Sequence, residues 1–435
     1  MRHINILMLW LLLSLSASAQ QFVTEVEVDE AVDDSVSVAV DEDIITAADT
    51  LVVDTVAVDS SLVWPHNLSA HLSQMLKSDM FSTSQVGMMV YDLSVDSVIF
   101  AYNERQRMRP ASTMKMINAV ASLDRLGGSF LFRTQLMTTG QRDSLTYRGN
   151  IYLVGGMDPL FNGDDMRAFV ESLRQQGVDT IRGNVYADQS MKDADLWGEG
   201  WCWDDDNPSL VPLLINGENQ FMKRFCQELK KSGIVLVGDT LVGAAPANAR
   251  LLCSRTHTID QVLQKMMKKS DNLFAECLFY QLARQAGTRG PATAAMGRQM
   301  VNNLVKKVGL NSRDYYVADG SGLSLYNYVS PELEVRFLRY AWQNDNISTH
   351  LLPSLPIAGV DGTLQTRMTK GTARGNVRAK TGTVSGVSSL AGFCVAPNGH
   401  QLCFSIINMG QRKAVTARVF QDKVCQTLTG VGDSE

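Results

Sequence analysis

The stretch "PASTMKMINAVASLDRL", Pro110 to Leu126, sets Ser112 three residues ahead of Lys115, at the front of an apolar run with helical spacing. Two readings compete for it. On a helix, positions i and i+3 share a face, so the lysine Nζ can reach the serine Oγ as a base beside a nucleophile. Alternatively, Ser112 simply caps a helix that begins after Pro110, and the lysine is incidental. Two stretches downstream favour the first reading. Ser270-Asp271-Asn272 lies 158 residues on, and Lys380-Thr381-Gly382-Thr383 lies 268 residues on.

Each stretch supplies what an amide-cleaving serine needs. A serine hydroxyl needs a base, and Lys115 serves only if its pKa is lowered. Burial, a helix N-terminus and the second cation Lys380 all push it down. Ser270 can relay a proton to a leaving amine. Asn272 can bond a substrate amide and hold Lys115. On a strand, Lys380 and Gly382 point one way and Thr381 the other, and Gly382 allows a substrate backbone to come close. The hydroxyls of Thr381 and Thr383, with Lys380, can hold a carboxylate. The N–H groups of Ser112 and Thr383 can form an oxyanion hole. Taken singly, Ser270 could be a helix-junction cap and Lys380 an exposed strand lysine. In this order the three stretches are a signature of the active-site serine penicillin-recognising enzymes.

The remainder of the chain sets the context. Arg2 and His3 precede an apolar run from Ile4 to Leu15, and Ala17-Ser18-Ala19 offers a cleavage site. Residues 1–19 are therefore expected to be a signal peptide, too short to span a bilayer, with no cysteine after it for a lipid anchor. Residues 20–61 hold 12 acidic residues and no Lys or Arg. Val alternates with Asp and Glu there as in a strand, but without turn residues and with strong self-repulsion, so a flexible acidic spacer is expected. Setting both segments aside turns the net charge of -5 into a body of about +6, which suits an anionic polymer. No nucleic-acid partner is indicated, and membrane contact is peripheral at most. The seven cysteines show no CxxC pair and read as buried thiols rather than a disulfide framework. The six histidines lack metal-ligand spacing, so neither a metal site nor a cofactor is expected.

The body is predicted to be α+β. "VGMMVYDL" and "VIFAYNE" read as a hairpin. Met116, Val120 and Leu123 form the core face of the Ser112 helix. From residue 133 to 250 short strands alternate with a helix at "GDDMRAFVESLRQQG", followed by the tryptophan-rich "WGEGWCWDDDNP". This region is read as an inserted α+β domain, interrupting a domain made of residues 62–132 and 251–435. Helices are expected at 258–269, 273–285 and 414–428. Asn398-Gly399 marks a second hairpin. No internal repeat is evident.

Beyond the three stretches, "NIYLVGGMDPL", "GNVYADQS", "GWCWDD", "KKSDNLFAE", "DGSGLS", "LPIAGVDGTLQTR" and "VRAKTGTVSGVSSLAGF" resemble blocks of the low-molecular-mass class C penicillin-binding proteins, the D-alanyl-D-alanine carboxypeptidase/endopeptidase family. The resemblance implies a penicillin-binding transpeptidase/β-lactamase-like domain, an antiparallel sheet flanked by helices, with extra domains between the first two motifs. It implies a periplasmic serine carboxypeptidase acting on peptidoglycan stem peptides, with endopeptidase activity on cross-links and β-lactam antibiotics as inhibitors. Ser112, Lys115 and Ser270 would be catalytic, and Asn272, Lys380, Thr381, Gly382 and Thr383 substrate-binding. Asp158 in "GGMDP" matches a position facing the stem peptide, or else forms a structural turn. The region from "GENQF" to "VGD" looks trimmed relative to the family. The rivals are a β-lactamase or esterase on the same scaffold and a non-catalytic cell-wall-binding protein.

Overall fold

The computed structural model describes residues 61–204, 207–287 and 290–432. The expected signal peptide, and the acidic spacer apart from Ser61, lie outside the described residues. The described chain opens with α1 (His66–Met75), the strands β1 (Gln85–Asp92) and β2 (Ser97–Tyr102), and α2 (Met114–Leu126). There follow β3 (Leu131–Thr138), β4 (Gln141–Asp143), β5 (Thr146–Arg148), β6 (Ile151–Val154), α3 (Gly163–Arg174), β7 (Thr180–Arg182) and β8 (Val185–Asp188). Next are α4 (Phe221–Lys231), β9 (Val235–Val237), β10 (Thr240–Val242) and β11 (Arg250–Thr258). The chain then runs through α5 (Ile259–Lys268), α6 (Asn272–Ala283), α7 (Ala294–Lys307), α8 (Pro331–Trp342) and α9 (Asp345–Ser354). It closes with β12 (Arg378–Val384), β13 (Val387–Val395), β14 (Gln401–Met409) and α10 (Ala414–Gly430).

The first sheet, ordered β12-β13-β14-β1-β2, is antiparallel throughout. Its strands are apolar on both faces because helices cover both. Met89, Tyr91, Ala391, Cys403 and Ile407 face a core shared with α2 and α5–α9. Met88, Val90, Leu390, Phe404 and Ile406 face a second core with α1 and α10. Successive residues thus change layers, as the pleat requires. Both expected hairpins form, the second turning at Gly399 with φ +85°. The Ser112 helix buries more than the single core face of Met116, Val120 and Leu123. Every residue from Met114 to Leu123 is buried, so α2 lies within the core rather than along its edge.

All strands of the other two sheets fall between Leu131 and Thr258, in the orders β10-β8-β6-β3-β11 and β4-β5-β7-β9. They hold an internal repeat that residue-by-residue reading of the sequence does not detect. Three times a short strand, a glycine, an Asn or Asp and a second strand recur: Gly149-Asn150 between β5 and β6, Gly183-Asn184 between β7 and β8, Gly238-Asp239 between β9 and β10. The copies stack in parallel register. Asn150 Oδ1 accepts the N–H of Asn184 at 3.0 Å, and Asn184 Oδ1 accepts that of Asp239 at 2.9 Å. A methyl group on Gly183 would collide with the Gly149 carbonyl, and one on Gly238 with the Gly183 carbonyl. The rings of Tyr152 and Tyr186 stack at 5.0 Å beside this ladder. The repeat spans unequal intervals, and the third copy replaces Asn by Asp, which hides it in a linear reading.

All seven cysteines are free thiols; Cys277, Cys394, Cys403 and Cys425 are buried as expected, while Cys202, Cys226 and Cys253 are half-buried. No described helix is long and apolar enough to cross a membrane. The glycine ladder makes a stability prediction. Gly183→Ala should destabilise the protein by about 2 kcal/mol through enforced backbone displacement. Thermal unfolding of the full chain would show this as a lowered midpoint, whereas an unchanged midpoint would mean that the stacked turns separate freely.

Candidate active site

Ser112 lies in a 3-10 turn, Ala111–Thr113, that feeds directly into α2. Contrary to the capping reading, its side chain caps nothing, and neither does that of Thr113 at the start of α2. The turn is held from below. Ser389 Oγ donates to the Pro110 carbonyl at 2.5 Å, and Thr113 Oγ1 donates to the same oxygen at 2.8 Å. Ala111 sits at φ +49°, a left-handed conformation unfavourable for a residue with a Cβ. Ser112 is half-buried, so its hydroxyl borders solvent while its neighbours on both sides are buried.

One turn along α2, Lys115 is wholly buried. Its Nζ donates to Ser112 Oγ at 2.9 Å, Asn272 Oδ1 at 2.7 Å and the Ser321 carbonyl at 2.8 Å. Burial pushes its pKa down to about 8, against the opposing charges of Asp319, Glu276 and Asp271. The lysine thus sits within reach of neutrality at ordinary pH.

Asn272 is brought there by the break between α5 and α6. Asp271 caps α6, its side chain accepting the Phe274 N–H at 3.2 Å, and Ser270 takes φ +59°. The Ser270 hydroxyl then accepts from Lys380 Nζ at 2.8 Å. Lys380 is also wholly buried, and donates to the Thr381 carbonyl at 2.6 Å. Burial, then the charge of Lys115, hold its pKa well below the usual lysine range.

Strand β12 lies against the Ser112 turn. A Cβ on Gly382 would come within 2.9 Å of both the Pro110 carbonyl and the Ser112 nitrogen. The close approach that glycine permits here is therefore to the nucleophile's own turn, where the sequence suggested room for substrate. Thr381 Oγ1 donates to Thr363 Oγ1 at 2.8 Å. Thr383 is exposed, with Arg418 Nη2 3.5 Å from its hydroxyl. The eight residues of the three motif stretches named as catalytic or substrate-binding are thus gathered around one point by α2, the α5–α6 junction and β12.

Asp158 is placed differently. It is buried, its Oδ2 is 2.7 Å from His257 Nδ1, and its Oδ1 accepts the Leu160 N–H at 3.0 Å. Burial raises its pKa despite His257. This geometry is that of a buried turn residue pinned to β11, and it leaves Asp158 no open face toward a ligand.

The residues behind Lys115 were not assigned from sequence. Glu276, also buried, accepts the N–H groups of Gly320 and Ser321 at 3.1 and 2.8 Å. Asp319 accepts from Gly322, Ser324, Asn327 and the Trp201 indole at 2.7–2.8 Å. The signal was present in "DGSGLS" and in the i, i+4 spacing of Asn272 and Glu276, which places both on one face of α6.

Comparison with known proteins extends this picture over most of the chain. The D-Ala-D-Ala carboxypeptidase 3 (S13) family matches residues 68–213 and 210–429. A D-alanyl-D-alanine carboxypeptidase, DacB, of Haemophilus influenzae is 27% identical over 406 residues, 74% of this chain and 84% of its own. A D-alanyl-D-alanine carboxypeptidase of an Actinomadura species is 27% identical over 421 residues, covering 74% of this chain and 77% of its own. Among solved structures, penicillin binding protein 4 from Haemophilus influenzae superposes with a TM-score of 0.74 at 25% identity, over 82% of this chain and 98% of its own. An α+β body whose buried lysine rests on a serine hydroxyl, matched to that family over nearly all its described length, leads to one assignment: this chain belongs to the D-Ala-D-Ala carboxypeptidase 3 (S13) family of serine peptidases.

Proposed function

We propose that Ser112 is the nucleophile and Lys115 its base, in a carboxypeptidase that removes the terminal D-Ala from peptidoglycan stem peptides. The observation that carries this reading is the set of acceptors around Lys115. An ammonium has three N–H donors, and three oxygens receive them. A neutral amine keeps two donors and gains a lone pair, so one of the three oxygens must become a donor. The Asn272 carbonyl and the Ser321 carbonyl only accept. The Ser112 hydroxyl alone can turn its proton toward the nitrogen. Neutralising Lys115 therefore directs the Ser112 proton to it and bares the oxygen for attack.

In the acylation step the Ser112 oxygen adds to the penultimate D-Ala carbonyl as its proton passes to Lys115. The tetrahedral oxyanion is received by the N–H groups of Ser112 and Thr383. As the C–N bond breaks, the proton taken up by Lys115 passes by way of Ser270, whose hydroxyl is held by Lys380, to the departing nitrogen, and Lys115 is neutral again. Water then attacks the ester, losing a proton to Lys115, which returns it to the Ser112 oxygen as the acyl C–O bond breaks. Thr381 and Thr383, with Lys380, hold the terminal carboxylate, and Asn272 bonds the peptide amide. A cross-link presents the same D-Ala amide, so endopeptidase activity belongs to the same site. A β-lactam acylates the same serine, a reading supported by the penicillin-binding relative of similar fold. Residues 133–250 are taken as a domain inserted into the peptidase body, and the leader as an address to the periplasm.

Two predictions follow from the site. Ser112→Ala should abolish labelling by fluorescent penicillin and cut D-Ala release from pentapeptides by about four to six orders of magnitude. Persistent labelling of that variant would refute the assignment of the nucleophile. Mass analysis of digested peptidoglycan reads the balance of activities, as loss of D-Ala from monomers or conversion of dimers to monomers. Second, Lys115 works as a base only when neutral, with a pKa lowered to about 8. The rate constant for acylation by penicillin should therefore rise about tenfold per pH unit below that value and level off above it. Lys115→Arg, which stays protonated, should lack the limb and the activity.

A further inference from the structure

We infer that Glu276 is a positioning residue of this site, which fixes the Ser321 carbonyl on Lys115 and sets the pH at which Lys115 loses its proton. The inference rests on the reading of Lys115 as base and goes beyond it.

Glu276 is a buried carboxyl that the acylation steps leave unused. It lies one turn after Asn272 on α6, so one helix holds Lys115 by two routes. Asn272 accepts directly from Nζ. Glu276 accepts the consecutive N–H groups of Gly320 and Ser321, and the Ser321 carbonyl accepts from Nζ. Asn118 on α2 closes the arrangement, donating to the Gly320 carbonyl at 3.2 Å and to the Ala275 carbonyl at 2.8 Å. Without the Glu276 oxygens, two adjacent buried amides have no acceptor in this arrangement, and Ser321 is held only from its far side, by the Gly322 N–H on Asp319. Gly320 is packed closely against α6 and α2. A Cβ at that position would press on the Phe279 side chain and on Asn118.

Charge adds to geometry. The groups facing Lys115 are Ser112 from the turn before its helix, Asp271 from the cap of α6, Asn272 and Glu276 from α6, Asp319 and Ser321 from the 319–324 loop, and Lys380 from β12 beyond Ser270. Asp319 is satisfied by four donors and Asp271 by its capping bond. Burial lifts the pKa of Glu276 to about 8, beside that of Lys115. The two groups therefore titrate as a coupled pair. Ionisation of Glu276 holds the proton on Lys115 longer, so the carboxyl delays the base to higher pH.

Three variants of the full chain test this, with fluorescent penicillin as probe and the second-order rate constant read from pH 5.5 to 10. Glu276→Gln keeps an oxygen for the two amides but removes the charge. It should move the rising limb at least about half a pH unit toward acid and lower the plateau about three- to tenfold. Glu276→Ala removes the acceptor as well, and should cost the plateau at least about a further tenfold. Glu276→Asp, which keeps the charge, should return the limb to within about 0.3 pH units of wild type. A Glu276→Gln limb that superposes on the wild-type limb overturns the inference, whatever happens to the plateau. Ser112→Ala keeps the two readings separate. Labelling of that variant defeats the catalytic assignment, while its silence together with an unmoved Glu276→Gln limb defeats the role of Glu276 alone.

Discussion

Two buried lysine side chains, each resting on a serine hydroxyl, are the constraint on which the structure turns. Removing an ammonium from water is costly unless every donor finds a partner, and a second cation nearby makes it costlier. Lys115 meets the requirement with oxygens from the Ser112 turn, α6 and the 319–324 loop. Lys380 takes the Ser270 hydroxyl and its own strand's Thr381 carbonyl. These segments are far apart in sequence, so the site exists only when the helical core and the antiparallel sheet have packed together. The same low-dielectric setting favours the neutral amine, the form that a base needs. Burial that is expensive for folding is thus what gives the site its chemistry.

Two of the eight described non-glycine residues with positive φ lie at the same place. Ala111 and Ser270 both adopt positive φ without being glycine, one on each side of the reacting hydroxyls. Such conformations persist where their surroundings over-determine them. Here the surroundings are close approaches that only glycine allows, with Gly382 against the Ser112 nitrogen and Gly322 against the Ala111 carbonyl. The Ser389 and Thr113 hydroxyls fix the Pro110 carbonyl from beneath. Ser112 is therefore presented by a rigid turn clamped between a strand and a loop.

Much of this was legible in the sequence, for identifiable reasons. Ser112, Ser270 and Lys380 announce themselves because their partners sit at short, fixed spacings, and the first sheet does so through its apolar strands and the Asn398-Gly399 turn. The covering of both sheet faces, and of α2 on all sides, was not legible, since it depends on which helices return to pack there. That Ser112 caps no helix was not legible either, because local geometry at a 3-10 turn is set by Ser389 and Gly382, more than 250 residues away. Glu276 was overlooked because a glutamate on an apolar helix gives no sign of what it holds until the 319–324 loop is in place. The threefold ladder escaped because its equivalence is one of register between strands rather than of spacing along the chain. Asp158 sits as the structural turn that was one of its two readings, with its side chain engaged by His257 and Leu160.

The 319–324 loop links the nucleophile to the part of the chain between Leu131 and Thr258. Behind Lys115 it offers the Ser321 carbonyl. On its other side Asp319 receives the Trp201 indole, and Ser324 donates to the Glu199 carbonyl at 2.5 Å. Glu199 in turn takes Arg298 and Tyr316, from α7 and the chain just before the loop. A tryptophan-rich turn outside the peptidase sheet thus supplies one of the four donors that shape the loop, only two residues from the carbonyl on Lys115. The region that interrupts the catalytic motifs in sequence is therefore joined by direct hydrogen bonds to the segment that orients the base. Tolerance of its length and outer surface to change is compatible with this arrangement, but loss of the contact at Trp201 is not, because the Asp319 carboxylate would then be left with an unpaired lone pair inside the loop that holds Ser321 in place.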